Sequence, residues 1–267
     1  MKNSVKRIRT ILIALMYVGI YYAVSAILQL IYIMWQSGIG TITVSRIEEN
    51  LTNGAYALMV IAAIVSMWIY LLIGRIRNKP LYTVVEERKN PLIVGVMAGV
   101  LAVGVRLLVT AYYYWALNID FLKKSIDSAS ALSPQFTHTG QMLAALFAIV
   151  VIAPVFEEVL FRAIVLGELL TIMRPWAAIL LQGIVFGVAH AVLFQTIFAV
   201  CVGVLLGVVY YKTRSIKSTI ICHSVFNLSA MLAGEITDVR SSVIYAVFGL
   251  LLIASSLSSL VVNCKRN

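Results

Sequence analysis

The sequence predicts an all-α, polytopic membrane protein, and its composition is the first reason. Of the 267 residues, 61% are hydrophobic and only 12% are charged, with a mean hydropathy of +0.97. A soluble globular domain has about 25% charged residues. Apolar stretches of about 20 residues, the length that spans a bilayer, recur along the whole chain. We therefore expect a single membrane domain over residues 1–267.

Eight membrane-spanning helices are predicted. The first follows the basic segment MKNSVKRIRT and is longer than the apolar part of a signal peptide, so we expect it to be retained. With boundaries uncertain by a few residues, the spans cover about 10–36, 55–74, 91–117, 141–162 with a helical extension to about 173, 175–192, 194–211, 217–233 and 242–262.

Some spans carry residues that predict local features. Pro91 opens the third span, where proline is tolerated, and Pro154 interrupts the fourth. Arg106 lies in the third span without a visible partner; snorkelling and pairing with Glu168 both remain open. Glycines spaced by four predict close packing between the fifth and sixth spans: Gly183, Gly187, Gly203 and Gly207.

The distribution of basic residues predicts the orientation. With the N-terminus inside, fifteen of the 21 Lys and Arg fall on the cytoplasmic side and four outside. Both termini are therefore expected in the cytoplasm, in a multi-pass protein of the cell membrane. The net charge of +10 is explained by this asymmetry and by contact with anionic lipids of the bilayer, so no nucleic-acid partner is expected.

The fourth span contains a cluster of charges, Glu157, Glu158 and Arg162. A charged side chain in hydrocarbon costs about 2.5–3.5 kcal/mol even on lenient scales, so each needs a partner or a function. Glu158 and Arg162 are four residues apart and share a helix face, which favours an ion pair. Glu157 is rotated by about 100° around the helix and is free to face another helix. We therefore predict a supporting role for Glu158 and a functional one for Glu157.

Two histidines in apolar segments complete the constellation. His190 follows Phe186 by four residues in the fifth span, and Asn227 follows His223 by four in the seventh. Glu157 lies 17 residues before Arg174, and His190 lies 15 residues after Pro175, so the two are nearly equally far from the turn between their helices. In an antiparallel helix pair these positions are nearly level, so Glu157 and His190 are predicted to meet.

These groups suit water activation. A carboxylate beside an imidazole can deprotonate a water, and imidazole and amide N–H groups can stabilise the oxyanion of an attacked carbonyl. A metal-bound water is the competing mechanism, with Glu157, His190 and His223 as its ligands. The HExxH spacing of many zinc proteases is absent from the sequence, so zinc is not favoured and no cofactor is expected.

The three motifs together resemble those of the CAAX-protease-and-bacteriocin-processing (Abi) family, which contains the type II CAAX prenyl endopeptidase. They are Glu157-Glu158-x-x-x-Arg162, Phe186-x-x-x-His190 and His223-x-x-x-Asn227. The resemblance covers a catalytic motif core at about residues 140–233.

This resemblance implies an eight-helix membrane endopeptidase that opens toward the cytosol. Glu157 and His190 would activate the water, while His223 and Asn227 would form the oxyanion hole. Glu158, Arg162 and Phe186 would support them. A peptide or membrane protein would be the substrate, and bacteriocin processing or self-immunity the biological process.

Two other functions are compatible with the same residues. The first is a non-catalytic membrane protein that keeps the fold and binds a bacteriocin or a sensor kinase. The second is a proton-coupled transporter, because Glu and His relays also occupy such membrane sites. Loss of function on replacing Glu157 would separate an enzyme from the first, and glutamate-dependent flux without cleavage would indicate the second.

Overall fold

The predicted all-α architecture is confirmed in the computed structural model, which describes residues 2–37, 44–79, 91–131, 139–232, 236 and 238–263. The α-helices are α1 (Lys2–Ser37), α2 (Val44–Ile76), α3 (Pro91–Ala116), α4 (Asp120–Ala131), α5 (Thr139–Phe147), α6 (Ala153–Glu158), α7 (Gly167–Leu169), α8 (Pro175–Val188), α9 (Leu193–Thr213), α10 (Ile216–Leu232) and α11 (Val239–Asn263).

Six continuous helical stretches of the described chain are long and apolar enough to cross a membrane. They correspond to six of the eight predicted spans. The predicted fifth and seventh spans are the shorter apolar helices α8 and α10. At 1.5 Å per residue, the 14 residues of α8 reach about 21 Å, less than the roughly 30 Å of a hydrocarbon core. The helix α4, between the third and fourth spans, was not predicted.

The fourth span is one continuous helix with two π-helical segments, Ala148–Ile152 and Val159–Leu166. The first segment shows the wider register directly, because the backbone N–H of Ala153 donates to the carbonyl of Ala148, five residues earlier. Pro154, which has no N–H to donate, follows immediately. The predicted interruption at Pro154 is therefore a change of register within a continuous helix.

Close packing of α8 against α9 depends on the four glycines predicted for it. A Cβ added at Gly183 would lie 2.9 Å from the backbone nitrogen of Val204, and one at Gly203 would lie 3.1 Å from the Cα of Gly183. The prediction of a close glycine contact is thus confirmed. A second such contact, between Gly104 of α3 and Gly249 of α11, was missed because neither residue belongs to a four-residue repeat.

A group of opposite charges lies where α2 ends beside α7, and we call Arg77, Lys79 and Glu168 the terminal cluster. The Glu168 carboxylate accepts from Arg77 Nη1 at 2.8 Å and from Lys79 Nζ at 2.9 Å, one on each oxygen. The hydrogen bond to Glu168 raises the pKa of Arg77 above its ordinary value. Pairing of Glu168 with Arg106, one of the two possibilities for that arginine, is therefore wrong.

Candidate active site

The charges of the fourth span meet α10 in a group that we call the buried cluster: Glu157, Glu158, Arg162 and His223. Glu158 and Arg162 are completely buried, and Arg162 Nη1 lies 2.9 Å from Glu158 Oε1. The predicted pair is therefore present. The same carboxylate oxygen lies 2.8 Å from Nδ1 of His223. Glu158 thus links the fourth span to α10 as well as stabilising Arg162.

Phe186 of α8 packs at the centre of this group. Its ring lies 4.5 Å from the guanidinium carbon of Arg162, a distance at which a cation interacts favourably with an aromatic face. The same ring is 4.8 Å from the ring of His190 and 6.0 Å from that of His223. Phe186 therefore separates the two imidazoles and packs on the arginine, as a supporting residue would.

Glu157 is the less enclosed of the two carboxylates. Its side chain is 25% exposed, and its Oε2 lies 3.8 Å from Nε2 of His223, too far for a direct hydrogen bond. That oxygen is buried and accepts no hydrogen bond from the described residues. The hydroxyls of Tyr21 and Tyr22 on α1 lie close enough to Glu157 to interact with it electrostatically. Glu157 therefore keeps an unused acceptor beside an imidazole.

The predicted contact between Glu157 and His190 stays a prediction. Among the described residues, the imidazole within ion-pair distance of Glu157 is that of His223. His190 lies beyond the end of α8 at Val188, whereas the prediction assumed that the helix continues to His190.

His190 is held in the turn after α8. Its Nδ1 lies 2.8 Å from the carbonyl oxygen of Phe186, which can only accept, so Nδ1 carries the proton. In the neutral ring Nε2 then presents a lone pair. The turn is fixed from two sides: Ala191 adopts a positive φ of 59°, and the hydroxyl of Tyr22 donates to the carbonyl of Ala189.

Asn227 is oriented by the π-helical segment of the fourth span. Its Nδ2 donates to the carbonyl oxygen of Ile149 at 2.8 Å. In the π-helical register that carbonyl would accept from the N–H of the residue five positions later, which is Pro154 and has none. The irregular helix therefore creates the acceptor that orients the asparagine, and the second N–H of the amide remains free to donate elsewhere.

A cavity of about 310 Å³ joins these side chains. Its lining contains three of the four predicted catalytic residues, together with Arg106 of α3. The described residues that line it are Arg106, Ile149, Phe186, His190, Gln195, Phe198, Ala199, Val202, His223, Phe226, Asn227, Ala230 and Met231. Sequence reasoning missed Arg106 as part of the site, although a lone charge in an apolar span was the available signal.

The cavity extends toward one end of the helix bundle. Gln195 is near the start of α9 and Met231 is near the end of α10, whereas Arg174 and Lys217 mark the opposite end. With both termini in the cytoplasm, as predicted, the cavity lies in the outer half. This placement favours an opening away from the cytosol if the termini are cytoplasmic; the orientation and the opening both stay predictions.

The arrangement does not suit the metal site that the sequence left open. No group of three His, Cys, Asp or Glu side chains within the described ranges is placed to hold a metal ion. Of the three expected ligands, Glu157 and His223 approach each other, with Oε2 and Nε2 3.8 Å apart. We therefore derive no step that passes through a metal.

The comparisons with known proteins agree with the motifs. Residues 139–229 match the family described as type II CAAX prenyl endopeptidase Rce1-like. No curated protein and no solved structure matches the chain. The matched segment contains Glu157, Glu158, Arg162, His190 and His223 with Asn227 near its end, while Arg106 lies outside it. The chain is therefore a multi-pass, all-α membrane protein in which residues 139–229 are similar to the type II CAAX prenyl endopeptidase Rce1-like family.

Proposed function

We propose that the protein is an intramembrane endopeptidase that hydrolyses a peptide bond with a water activated by Glu157 and His190. The observation that carries this proposal is the unused acceptor of Glu157. Its Oε2 is buried, has no hydrogen-bond donor among the described residues and lies 3.8 Å from an imidazole nitrogen. A buried carboxylate that is not neutralised by the neighbouring arginine is costly as a structural element and useful as a base.

The reaction begins with a water that donates to the Glu157 carboxylate. Glu157 takes one proton as the water oxygen attacks the carbonyl carbon of the substrate, and the C=O bond becomes a C–O⁻ single bond. Nε2 of His190, which has a lone pair when its Nδ1–H bonds Phe186, accepts from the same water and orients it. Glu157 then gives this proton to the amide nitrogen and the C–N bond breaks, which releases the amine and leaves a carboxylic acid. The acid loses the second proton of the original water to Nε2 of His190 or to solvent, and the product leaves as a carboxylate.

The oxyanion is stabilised by donors from α10. Asn227 keeps one N–H free, since the other bonds the carbonyl of Ile149. His223 donates to the oxyanion only through a protonated Nε2, and with Nδ1–H bonded to Glu158 this requires the imidazolium form. Carboxylates at 2.8 Å and 3.8 Å on its two nitrogens are suitable neighbours for that cation. Glu158, held by Arg162, therefore positions His223.

The substrate class that we propose is a peptide or a membrane protein, and bacteriocin processing or self-immunity is the proposed process. The test is a comparison of membrane proteins and released peptides between cells that express the wild type and cells that express Glu157→Ala at equal levels. We expect a peptide product that is absent with Glu157→Ala. Identical profiles, with immunity retained, would instead indicate the non-catalytic role.

We propose that the hydrolysis needs no metal. The purified protein should retain its activity after dialysis against a chelator, and added zinc should not increase it. Loss of activity in chelator that zinc restores would contradict the metal-free mechanism while leaving the peptidase function intact.

A further inference from the structure

Arg106 lines the cavity, and none of the described residues forms a salt bridge with it. It lies on α3, ten residues before the helix ends at Ala116. Its Nε is buried and donates to no acceptor in the described part of the chain. The completely buried Arg162, in contrast, has a carboxylate at 2.9 Å. Because a charge inside a membrane helix costs about 2.5–3.5 kcal/mol, an arginine left unpaired there needs an explanation.

The cavity gives this cation a distinct electrostatic environment. Among the described residues that line the cavity, Arg106 is the single Lys or Arg, and none is Asp or Glu. The same walls carry His190, His223 and Asn227. A ligand that enters this space therefore meets one fixed positive charge close to the groups of the proposed reaction.

Among the described residues, no salt bridge accounts for Arg106. The carboxylate of Glu168 is bonded on both oxygens in the terminal cluster. The side chain is also only half-buried, because part of it faces the cavity. An anion in the cavity would accept hydrogen bonds from the guanidinium group of Arg106. A carboxylate suits this group best, because its two oxygens can accept two parallel N–H hydrogen bonds.

We propose that Arg106 binds a carboxylate of the substrate and thereby selects peptides with a negative charge near the bond to be cleaved. This rests on the proposed peptidase function. Two sources of that carboxylate share the same chemistry: the C-terminal carboxylate of the peptide and the side chain of an Asp or Glu residue. Arg106 is a specificity-determining residue in either case.

The test measures binding rather than cleavage. The probe is a mixture of N-palmitoylated tetrapeptides of varied sequence, each prepared with a free C-terminal carboxylate and as the C-terminal amide. Purified protein in detergent carries Glu157→Gln, so that no peptide is consumed, and the retained peptides are quantified by mass spectrometry. Hydrolysis is assayed separately with the wild-type protein. A failure of the proposed peptidase function is thereby distinguished from a failure of carboxylate binding.

We expect a preference for carboxylate-bearing peptides of about 10- to 100-fold, the value of a hydrogen bond to a charged group. Enrichment of free acids over amides identifies the C-terminal carboxylate, and enrichment of amides that contain Asp or Glu identifies the side chain. Arg106→Met should abolish the preference and Arg106→Lys should keep part of it. The control Arg174→Met removes an exposed arginine at the far end of α8 and should leave the preference unchanged.

Two results would overturn the proposal. The first is that the protein with Arg106 intact shows no preference for carboxylates, an outcome that does not depend on whether a variant folds. The second is a preference that persists in Arg106→Met. Thermal unfolding of each variant in the same detergent shows whether a lost preference reflects lost structure, and Arg106→Lys then decides the question with the charge retained.

Discussion

The fourth span carries two clusters of opposite charges, and they differ in how completely their carboxylates are paired. In the terminal cluster, each oxygen of Glu168 has its own cation, at 2.8 and 2.9 Å. In the buried cluster, Arg162 and His223 both lie on Oε1 of Glu158, at 2.9 and 2.8 Å, whereas the carboxylate of Glu157 has His223 at 3.8 Å and no hydrogen-bond donor on Oε2 among the described residues. Burial of charge alone therefore does not identify a reactive group. The better candidate is the carboxylate that has no arginine or lysine of the described residues in contact and lies beside an imidazole, which is Glu157.

The largest effect is expected at the ion pair whose two side chains are both completely buried. Arg162→Leu leaves Glu158 as an uncompensated buried charge, so the free energy of unfolding should fall by about 3–5 kcal/mol. Thermal unfolding in detergent measures this loss. Activity should be lost together with stability, because Glu158 is then no longer held in place to bond His223.

A double variant sharpens this prediction. Glu158→Gln together with Arg162→Leu removes both charges, and its loss of stability should be smaller than that of Arg162→Leu alone. If the two losses simply added, the charges would not be coupled, and the pairing in the buried cluster would carry little energy.

The next largest effect is expected on catalysis rather than on stability. Asn227→Ala removes a proposed oxyanion donor, so kcat should fall by about 10²- to 10³-fold with a small change in the melting temperature. The matched control is Asn118→Ala, which removes an amide that donates to the carbonyl of Tyr114 at 3.0 Å outside the cavity. Equal loss of activity in both variants would contradict the assigned role of Asn227.

Glu168→Gln tests the terminal cluster, in which both carboxylate oxygens are paired. Its partners Arg77 and Lys79 are 26% and 43% exposed, so solvent screens them and the loss of stability should be about 1–2 kcal/mol. Hydrolysis should continue at the wild-type rate once the variant is folded. Loss of hydrolysis in a folded Glu168→Gln protein would show that complete pairing does not separate structural from functional carboxylates.

The smallest effect is expected at the edge of the site. Tyr22→Phe removes the hydroxyl that donates to the carbonyl of Ala189, next to His190, at a cost of about 0.5–1.5 kcal/mol. A several-fold decrease in kcat with unchanged binding would indicate that the bond positions His190. Tyr245→Phe, on the exposed face of α11, is the control and should behave as the wild type does.

The spacing of residues along one helix correctly predicted the contacts that depend on that spacing. The Glu158–Arg162 pair follows from a spacing of four, and the α8–α9 contact from glycines at that spacing. The partnership of Glu158 with His223 was not predictable in this way, since it joins residues 65 positions apart. It depends on the rotation of two helices about their own axes, which residue counts along a chain do not define.

Irregular backbone limited the prediction in the same region. Pro154 indicated a break, but the sequence did not indicate the π-helical register beside it or the Ile149 carbonyl that accepts from Asn227. α8 ends at Val188, so the regular helical rise used to place His190 does not apply there. Arg106 was noticed as a lone charge, yet its place in the cavity required the three-dimensional arrangement of α3 and α10.

The central claim is that Glu157, and not carboxylates of this helix in general, activates the water. The direct measurement compares Glu157→Gln with Glu168→Gln for cleavage of one identified substrate by purified protein, with melting temperatures recorded for both. We predict that Glu157→Gln melts near the wild-type temperature and loses about 10²- to 10⁴-fold in kcat, while Glu168→Gln retains its rate. A folded Glu157→Gln protein that cleaves at the wild-type rate would contradict the account.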